Sequence, residues 1–172
     1  MEENIEISKE REIYKKDGLF KKPTKLVLSF LDLIQDEEVL INLKLSPARE
    51  LFINSVKEKY GQHLVLTTRR IVLIINRGYI FKEFFTYDTI TDILLTRKWI
   101  ITADMPTIMI KTSNTTYEVV FLSSFLYKKK IKGIIDCVKI RNPNISVKVD
   151  TQYNDDILSI MKDTLFTKIQ LK

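Results

Sequence analysis

Side chains that commonly carry out catalysis are scarce in this sequence of 172 residues. It contains one histidine, His63, and one cysteine, Cys137, so a site with several imidazole or thiolate ligands for zinc cannot be assembled within the chain. His63 opens an alternating apolar segment, which favours a surface or rim position on a strand over a general base. Cys137 follows a helical apolar pattern and is interpreted as a small packing residue rather than a nucleophile.

Other catalytic arrangements are equally poorly represented. The four glycines are isolated from one another, so no glycine-rich loop is present to bind a phosphate group. Asp88 and Asp92 lie four residues apart near a turn, where capping or pairing with Arg97 is the simpler role. The sequence therefore predicts no catalytic residue, no cofactor and no metal ion, and we expect that the chain is not an enzyme.

Positive charge is concentrated in one segment. The formal net charge is +6, and residues 123–141 hold six basic side chains and one acidic side chain. This candidate anionic-surface patch consists of Lys128, Lys129, Lys130, Lys132, Lys139 and Arg141. A solvated helix face is the favoured interpretation. Weak contact with an anionic membrane is the alternative, since each lysine near such a surface contributes about 1 kcal/mol. Nucleic acid is not the favoured partner, because binding to single strands needs exposed aromatic rings among the lysines, and Tyr127, directly before them, is expected on the buried face.

Arg69 and Arg70 form a second basic feature and admit two interpretations. In the first, both arginines line a basic rim that meets anionic groups. In the second, Arg70 pairs with a nearby acid and fixes a turn, which is a common role for arginine in tight turns. We favour the second interpretation.

Apolar periodicity indicates which elements position these residues. Thr24 is a plausible N-cap for an amphipathic helix that extends to Gln35. A two-residue period then begins at Val39 and recurs in short segments to Phe121, which predicts about seven antiparallel strands. The period changes to that of a helix after the N-cap candidates Ser123-Ser124, with Asp136 among the lysines on the charged face, and Asn142-Pro143 ends this helix. Residues 145–149 suit a short additional strand.

The central residues resemble the YokE-like family of bacterial pleckstrin-homology-like (PH-like) domains. The resemblance covers residues 37–141 and depends on four segments: Glu37-Glu38-Val39-Leu40, the Thr-x-x-Arg turn of Thr67–Arg70, the turn Asn76-Arg77-Gly78, and Ile90-Thr91-Asp92-Ile93. It implies a mainly β fold with helices, namely a PH-like antiparallel β-barrel or sandwich capped by a C-terminal amphipathic helix. It also implies a binding role, without naming a ligand.

Helical segments on both sides of this domain suggest a further interaction. We divide the chain into an N-terminal arm and helix (1–36), a PH-like domain (37–141) and a C-terminal extension with a helix (142–172). Apolar stripes occur in both terminal segments. An exposed apolar stripe is unfavourable unless another part of the chain or a partner packs against it. The N-terminal stripe contains Leu26, Phe30 and Ile34. The C-terminal stripe, a candidate association surface, contains Leu158, Met161, Leu165, Phe166 and Ile169.

These observations predict a cytoplasmic protein-binding or scaffolding module, with homo-oligomerisation as one outcome. An acidic amino terminus without a following apolar run argues against a secretory signal. The apolar run Ile71–Ile75 is too short to span a bilayer. Peripheral binding to anionic lipid headgroups through the basic helix is the alternative function.

Overall fold

The computed structural model describes residues 2–45, 61–76, 80–100, 103–121 and 127–150. These ranges contain the helices α1 (Glu2–Lys16), α2 (Lys25–Leu31) and α3 (Tyr127–Arg141), and a single 3-10 turn at Tyr87–Thr89. They also contain the strands β1 (Val39–Leu45), β2 (Gly61–Thr67), β3 (Arg70–Asn76), β4 (Ile80–Thr86), β5 (Ile90–Ile100), β6 (Ala103–Thr112), β7 (Thr116–Val120) and β8 (Ser146–Val149).

The chain divides into two compact units. The first unit comprises Met1–Leu45 and Lys57–Thr86, and the second comprises Ser46–Val56 and Tyr87–Lys172. The described part of the first unit contains α1, α2 and strands β1 to β4. The described part of the second contains strands β5 to β8 and α3.

The sheet of the first unit has the strand order β1-β2-β3-β4, and every neighbouring pair is antiparallel. Its residues are rich in β-branched and aromatic side chains, which pack well on a pleated surface. β3 and β4 pair antiparallel from Arg70↔Thr86 to Asn76↔Ile80, whereas Arg77 and Gly78 of the turn noted in the sequence lie outside the described residues. A core cluster joins α2 to this sheet: Val27, Leu31, Val39, Val65, Val72 and Ile74, with Phe20 and Phe30 packed against it.

Helix α2 begins as predicted but ends earlier. The Thr24 side chain accepts a hydrogen bond from the Val27 amide at 3.3 Å, which satisfies an amide that the first helical turn leaves unpaired. The helix was expected to extend to Gln35, but it ends at Leu31, where Asp32 adopts a left-handed conformation with φ 47°. A left-handed residue commonly terminates a helix. Within the predicted N-terminal arm and helix, residues Glu2–Lys16 form α1.

The sheet of the second unit has the strand order β7-β6-β5-β8. β8 is the short strand expected from residues 145–149, and it pairs in parallel with β5 from Asp92↔Ser146 to Leu95↔Val149. The pairing is extended beyond β8, since the Asp150 amide donates to the Leu95 carbonyl at 2.9 Å and the Thr96 hydroxyl donates to the Asp150 carboxylate at 3.1 Å.

Helix α3 follows the last antiparallel strand, as predicted, and ends two residues before Pro143. Its apolar residues Ile131, Ile134 and Val138 are fully or almost fully buried. Just after the helix, the Asn142 side chain donates to the Tyr87 and Ile90 carbonyls at 2.8 and 3.1 Å. These bonds fix the end of α3 to the 3-10 turn and the start of β5.

The described residues are therefore mainly β, with a helix after the seven antiparallel strands, as the sequence predicts. Among the described strands, however, two separate sheets are present and no ladder of hydrogen bonds closes them into one barrel. Within the same residues, no helix is long and apolar enough to cross a membrane. The predicted N-cap at Ser123-Ser124 and the predicted last helix lie outside the described residues.

Candidate interaction surface

A buried ion pair joins Glu37, two residues before β1, to Arg70 at the start of β3. The guanidinium of Arg70 donates two hydrogen bonds to the carboxylate of Glu37, from Nε to Oε1 at 2.8 Å and from Nη2 to Oε2 at 3.0 Å. The Glu37 side chain is completely buried and that of Arg70 is 11% exposed. This two-point geometry is the strongest arrangement that arginine makes with a carboxylate.

The hydroxyl of Thr67 extends this pair into the β2–β3 turn. It donates to Oε1 of Glu37 at 2.7 Å and accepts from the amides of Arg69 and Arg70 at 3.1 and 3.0 Å. The Glu38 amide donates to the Thr68 hydroxyl at 3.2 Å. The Thr-x-x-Arg turn and the Glu-Glu opening of β1, both noted in the sequence, thus form one hydrogen-bonded unit.

The pKa of Glu37 reflects this arrangement. Burial acts to raise the pKa of Glu37, but hydrogen bonds from Arg70, Thr67 and the Ile34 amide, together with the charge of Arg70, outweigh burial and lower it below 4.5. Glu37 therefore remains a carboxylate at neutral pH. An ionised carboxylate at this position keeps the bond to Arg70 charge-assisted.

Arg70 also connects the end of α2 to β4. Its Nη2 donates to the Leu31 and Asp32 carbonyls, both at 2.9 Å, which satisfies acceptors that the last helical turn leaves unpaired. Its guanidinium carbon lies 5.0 Å from the centroid of the Phe84 ring. A cation over an aromatic face at this distance is attracted to the ring.

Three large apolar side chains are exposed on the segments that contact this ion pair, namely the connection after α2 and strand β4. Phe84 is 53% exposed, Ile34 is 54% exposed and Leu33 is 38% exposed. Phe84 contacts Arg70 directly, and the Ile34 amide donates to the same Glu37 carboxylate at 3.0 Å. We call these three residues the Phe84 patch. Buried ionic contacts hold its backbone in place while its side chains face solvent.

The two arginines of the predicted basic rim differ in position. Arg69 is exposed, whereas Arg70 is occupied by Glu37 and by the end of α2. Of the two interpretations drawn from the sequence, the structure describes the second for Arg70: it pairs with an acid and fixes the turn.

The candidate anionic-surface patch on α3 is only partly accessible. Lys129 is exposed, whereas Lys128, Lys130, Lys132, Lys139 and Arg141 are half-buried. Asp136, which the periodicity placed on the solvent face with these lysines, is instead 2% exposed. Its carboxylate lies 3.5 Å from the ammonium group of Lys132. Helix α3 is therefore buried over a wider arc than its apolar residues alone indicate.

Arg141 has structural contacts of its own. Its Nη1 donates to the Cys137 carbonyl at 3.1 Å and lies 3.3 Å from the Cys137 sulfur. The guanidinium carbon is 5.6 Å from the centroid of the Tyr87 ring, and the Tyr87 hydroxyl is 3.7 Å from the same sulfur. These contacts link the end of α3 to the 3-10 turn, and the Cys137 thiol is fully buried among them.

His63 lies opposite Lys44 on β1 and opposite Ile74 on β3. Burial, and secondly the positive charge of Lys44, lower the pKa of His63 below 6.5. His63 is therefore neutral at neutral pH. Across the described ranges no cluster of three or more His, Cys, Asp or Glu side chains could hold a metal ion. The predicted association stripe, from Leu158 to Ile169, lies outside the part of the chain that the structure describes.

Sequence reasoning missed both Glu37 and Phe84. Glu37 was read as one of two acids at the start of a strand, and its partner lies 33 residues away. Phe84 alternates with Phe85 at the end of β4, where the sequence alone does not distinguish a buried aromatic residue from an exposed one. The sequence did contain a signal for the ion pair of Glu37. An acid at a strand start and an arginine in a tight turn each commonly pair with an opposite charge.

Comparison with protein-family models gives no match, and comparison with curated proteins gives none either. Among solved structures, the chain is similar to the hSac2 domain from human phosphoinositide phosphatase Sac2. The two share 9% of residues with a TM-score of 0.49, and the match covers 74% of this chain and 87% of that domain.

This match overturns one prediction. The expectation that the chain is not an enzyme is wrong as a general exclusion, because a structural neighbour comes from a protein that is a phosphatase by name. With 9% identity and a TM-score of 0.49, the match assigns neither an activity nor a substrate to this chain.

Proposed function

We propose that this chain is a PH-like binding module that recognises a protein partner through the Phe84 patch. The supporting observation is the exposure of Phe84, Ile34 and Leu33 around the buried Arg70–Glu37 pair. Contiguous exposed apolar residues on a soluble domain mark interaction sites. Aromatic and arginine side chains also contribute more than other types to the binding energy of protein interfaces.

The arrangement of the backbone favours binding with little loss of conformational freedom. Leu33 and Ile34 lie in a connection whose backbone is bonded to Arg70 and Glu37 at both ends, through the Leu31 and Asp32 carbonyls and the Ile34 amide. Ordering a mobile loop on binding is costly, and a connection that is already fixed avoids most of that cost. The PH-like arrangement itself is supported by seven antiparallel strands followed by α3.

Site-specific photo-crosslinking tests this function. A photoreactive phenylalanine analogue at Phe84 is activated in cells of the source organism, and the same analogue at Lys129, an exposed position on α3, is the matched control. We expect one discrete adduct from position 84 and none from position 129. Mass spectrometry of the adduct distinguishes a second copy of the chain from another protein.

A second arm tests the patch as a unit. With the analogue moved to Ile34, the change Phe84→Ser is expected to abolish the adduct, because both side chains belong to one contact surface. Absence of an adduct from both patch positions, or equal yields at positions 84 and 129, would reject the proposal.

A further inference from the structure

A second surface with a strong charge lies at the connection between α1 and α2. Residues 15–25 contain five lysines and one acid, Asp17. All five lysines are exposed, whereas five of the six basic residues of the α3 patch are half-buried. The exposed lysines are Lys15, Lys16, Lys21, Lys22 and Lys25. We call this set the connection lysines.

The backbone that carries the connection lysines is fixed to α1 and β1 within the first unit. Leu19 is fully buried, and its amide donates to the Tyr14 carbonyl at 2.8 Å. Asn42 on β1 binds the connection twice, because its amide donates to the Leu19 carbonyl at 3.0 Å and its side chain donates to the Lys21 carbonyl at 2.9 Å. The lysines are therefore presented from a defined position and not from a loose tail.

Exposed aliphatic side chains lie on the same helix faces as two of these lysines. Ile13 is 37% exposed and Leu28 is 42% exposed. Ile13 is three residues from Lys16 on α1, and Leu28 is three residues from Lys25 on α2, which places each pair on one helix face. A surface that combines lysines with aliphatic side chains matches the boundary between lipid headgroups and acyl chains.

We propose that the connection lysines, with Ile13 and Leu28, form a contact surface for an anionic membrane. Nucleic acid fits this surface less well, since binding to single strands needs exposed aromatic rings on which bases stack. Phe20 is the sole aromatic residue between Lys15 and Lys25. It is packed against the core cluster, and the cationic groups of Arg11 and Lys15 lie 6.0 and 5.7 Å from its ring centroid.

This surface is separate from the Phe84 patch and does not depend on the partner proposed there. The lipid-binding alternative drawn from the sequence places the contact on α3, whereas the present proposal places it on the connection lysines. Because the attraction comes from exposed lysines, it is expected to weaken steeply with salt, as the screening length falls to about 8 Å at physiological ionic strength.

Vesicle flotation with the full chain tests the proposal. At low salt, we expect the chain to float with phosphatidylcholine vesicles that contain phosphatidylserine and not with pure phosphatidylcholine vesicles. The variant Lys21→Glu/Lys22→Glu is compared with Lys128→Glu/Lys129→Glu, which changes the net charge by the same amount on α3. Each lysine contributes roughly fivefold to affinity. The affinity for phosphatidylserine vesicles should therefore fall at least about twentyfold in Lys21→Glu/Lys22→Glu and far less in Lys128→Glu/Lys129→Glu.

Three results would overturn the proposal. One is no flotation with phosphatidylserine at low salt. Another is an equal loss in the two charge-reversal variants, which would show a response to net charge alone. The third is binding to a single-stranded oligonucleotide without binding to vesicles, which would assign the surface to a different polyanion. Circular dichroism of both variants establishes that each is folded, and Lys21→Gln/Lys22→Gln should show a smaller loss in the same direction.

Discussion

Replacing Arg70 by Met would leave the carboxylate of Glu37 buried with its main cationic partner removed. Removing one member of a buried ion pair costs about 3–5 kcal/mol, so we expect a loss of this size in urea unfolding at pH 7. Arg70→Lys should lose less stability than Arg70→Met, because it keeps the positive charge. It should still lose some, because an ammonium group cannot bind both carboxylate oxygens and two carbonyls at once. A change below about 1 kcal/mol for Arg70→Met would show that the pair is not buried in solution.

The Arg70–Glu37 pair also predicts that the free energy of unfolding depends on pH. The pKa of Glu37 is lowered in the folded chain below 4.5, so the unfolded chain binds the proton first as pH falls. The stability contributed by Glu37 is therefore present above pH 4.5 and is lost as pH falls through the lowered pKa. We expect the stability difference between wild type and Arg70→Met to shrink across this window. A difference that stays constant down to pH 2.5 would contradict the assignment of the carboxylate as the ionised partner.

His63 predicts a second dependence of stability on pH, in a higher pH range than that of Glu37. Its pKa is lowered by burial and by Lys44, so below pH 6.5 the unfolded chain binds a proton that the folded chain does not. Stability should therefore fall as pH drops from 6.5 towards the lowered pKa. His63→Gln removes this slope, and Lys44→Gln reduces it. Urea unfolding between pH 5 and 7 measures the three slopes, and parallel slopes for wild type and His63→Gln would refute the prediction.

At the scale of elements, the sequence predicted strands and helices well where one period was sustained. The strands β1 to β7 and the helix α3 follow directly from the change between a two-residue and a 3.6-residue period. The end of α2 was not predictable in this way, because Arg70, which is 39 residues from Leu31, supplies the bonds that complete it. Asp136 was placed on the wrong side of α3 for a similar reason, since periodicity describes one face of a helix and not what packs against the other.

The turn after α1 offers a test of one element alone. Gly18 has φ 71°, and a β-carbon there would meet no atom within 4 Å. Gly18→Ala should therefore cost only the strain of a left-handed conformation, about 1 kcal/mol. Gly18→Asn should cost less, because asparagine tolerates this region better. Thermal unfolding measures both variants, and an unchanged or raised midpoint for Gly18→Ala would contradict the left-handed turn.

At the scale of the whole molecule, the candidate surfaces were less predictable than the fold. Charge counting along the chain located the lysines of α3, but exposure depends on tertiary packing, which left only Lys129 exposed there. The connection lysines have a similar density in the sequence, but charge counting did not locate them, because the 12 acidic side chains of residues 1–60 offset the 11 basic ones. The Phe84 patch depends on contacts between α2, β1, β3 and β4, so no single stretch of sequence contains it.

The labelling rate of the Cys137 thiol measures how often the structure around α3 unfolds. Its thiol is fully buried and contacts Arg141 and Tyr87, so a thiol reagent reaches it only after opening. For a domain of ordinary stability, the open population is small enough that labelling of the native chain should be at least about a thousandfold slower than labelling in denaturant. The control is Cys137→Ser/Lys129→Cys, which carries a single exposed thiol on the same helix and should react at nearly the same rate in both conditions. If the thiol of native Cys137 reacts as fast as this control, α3 is not buried in solution, and the partial burial of its lysines is refuted as well.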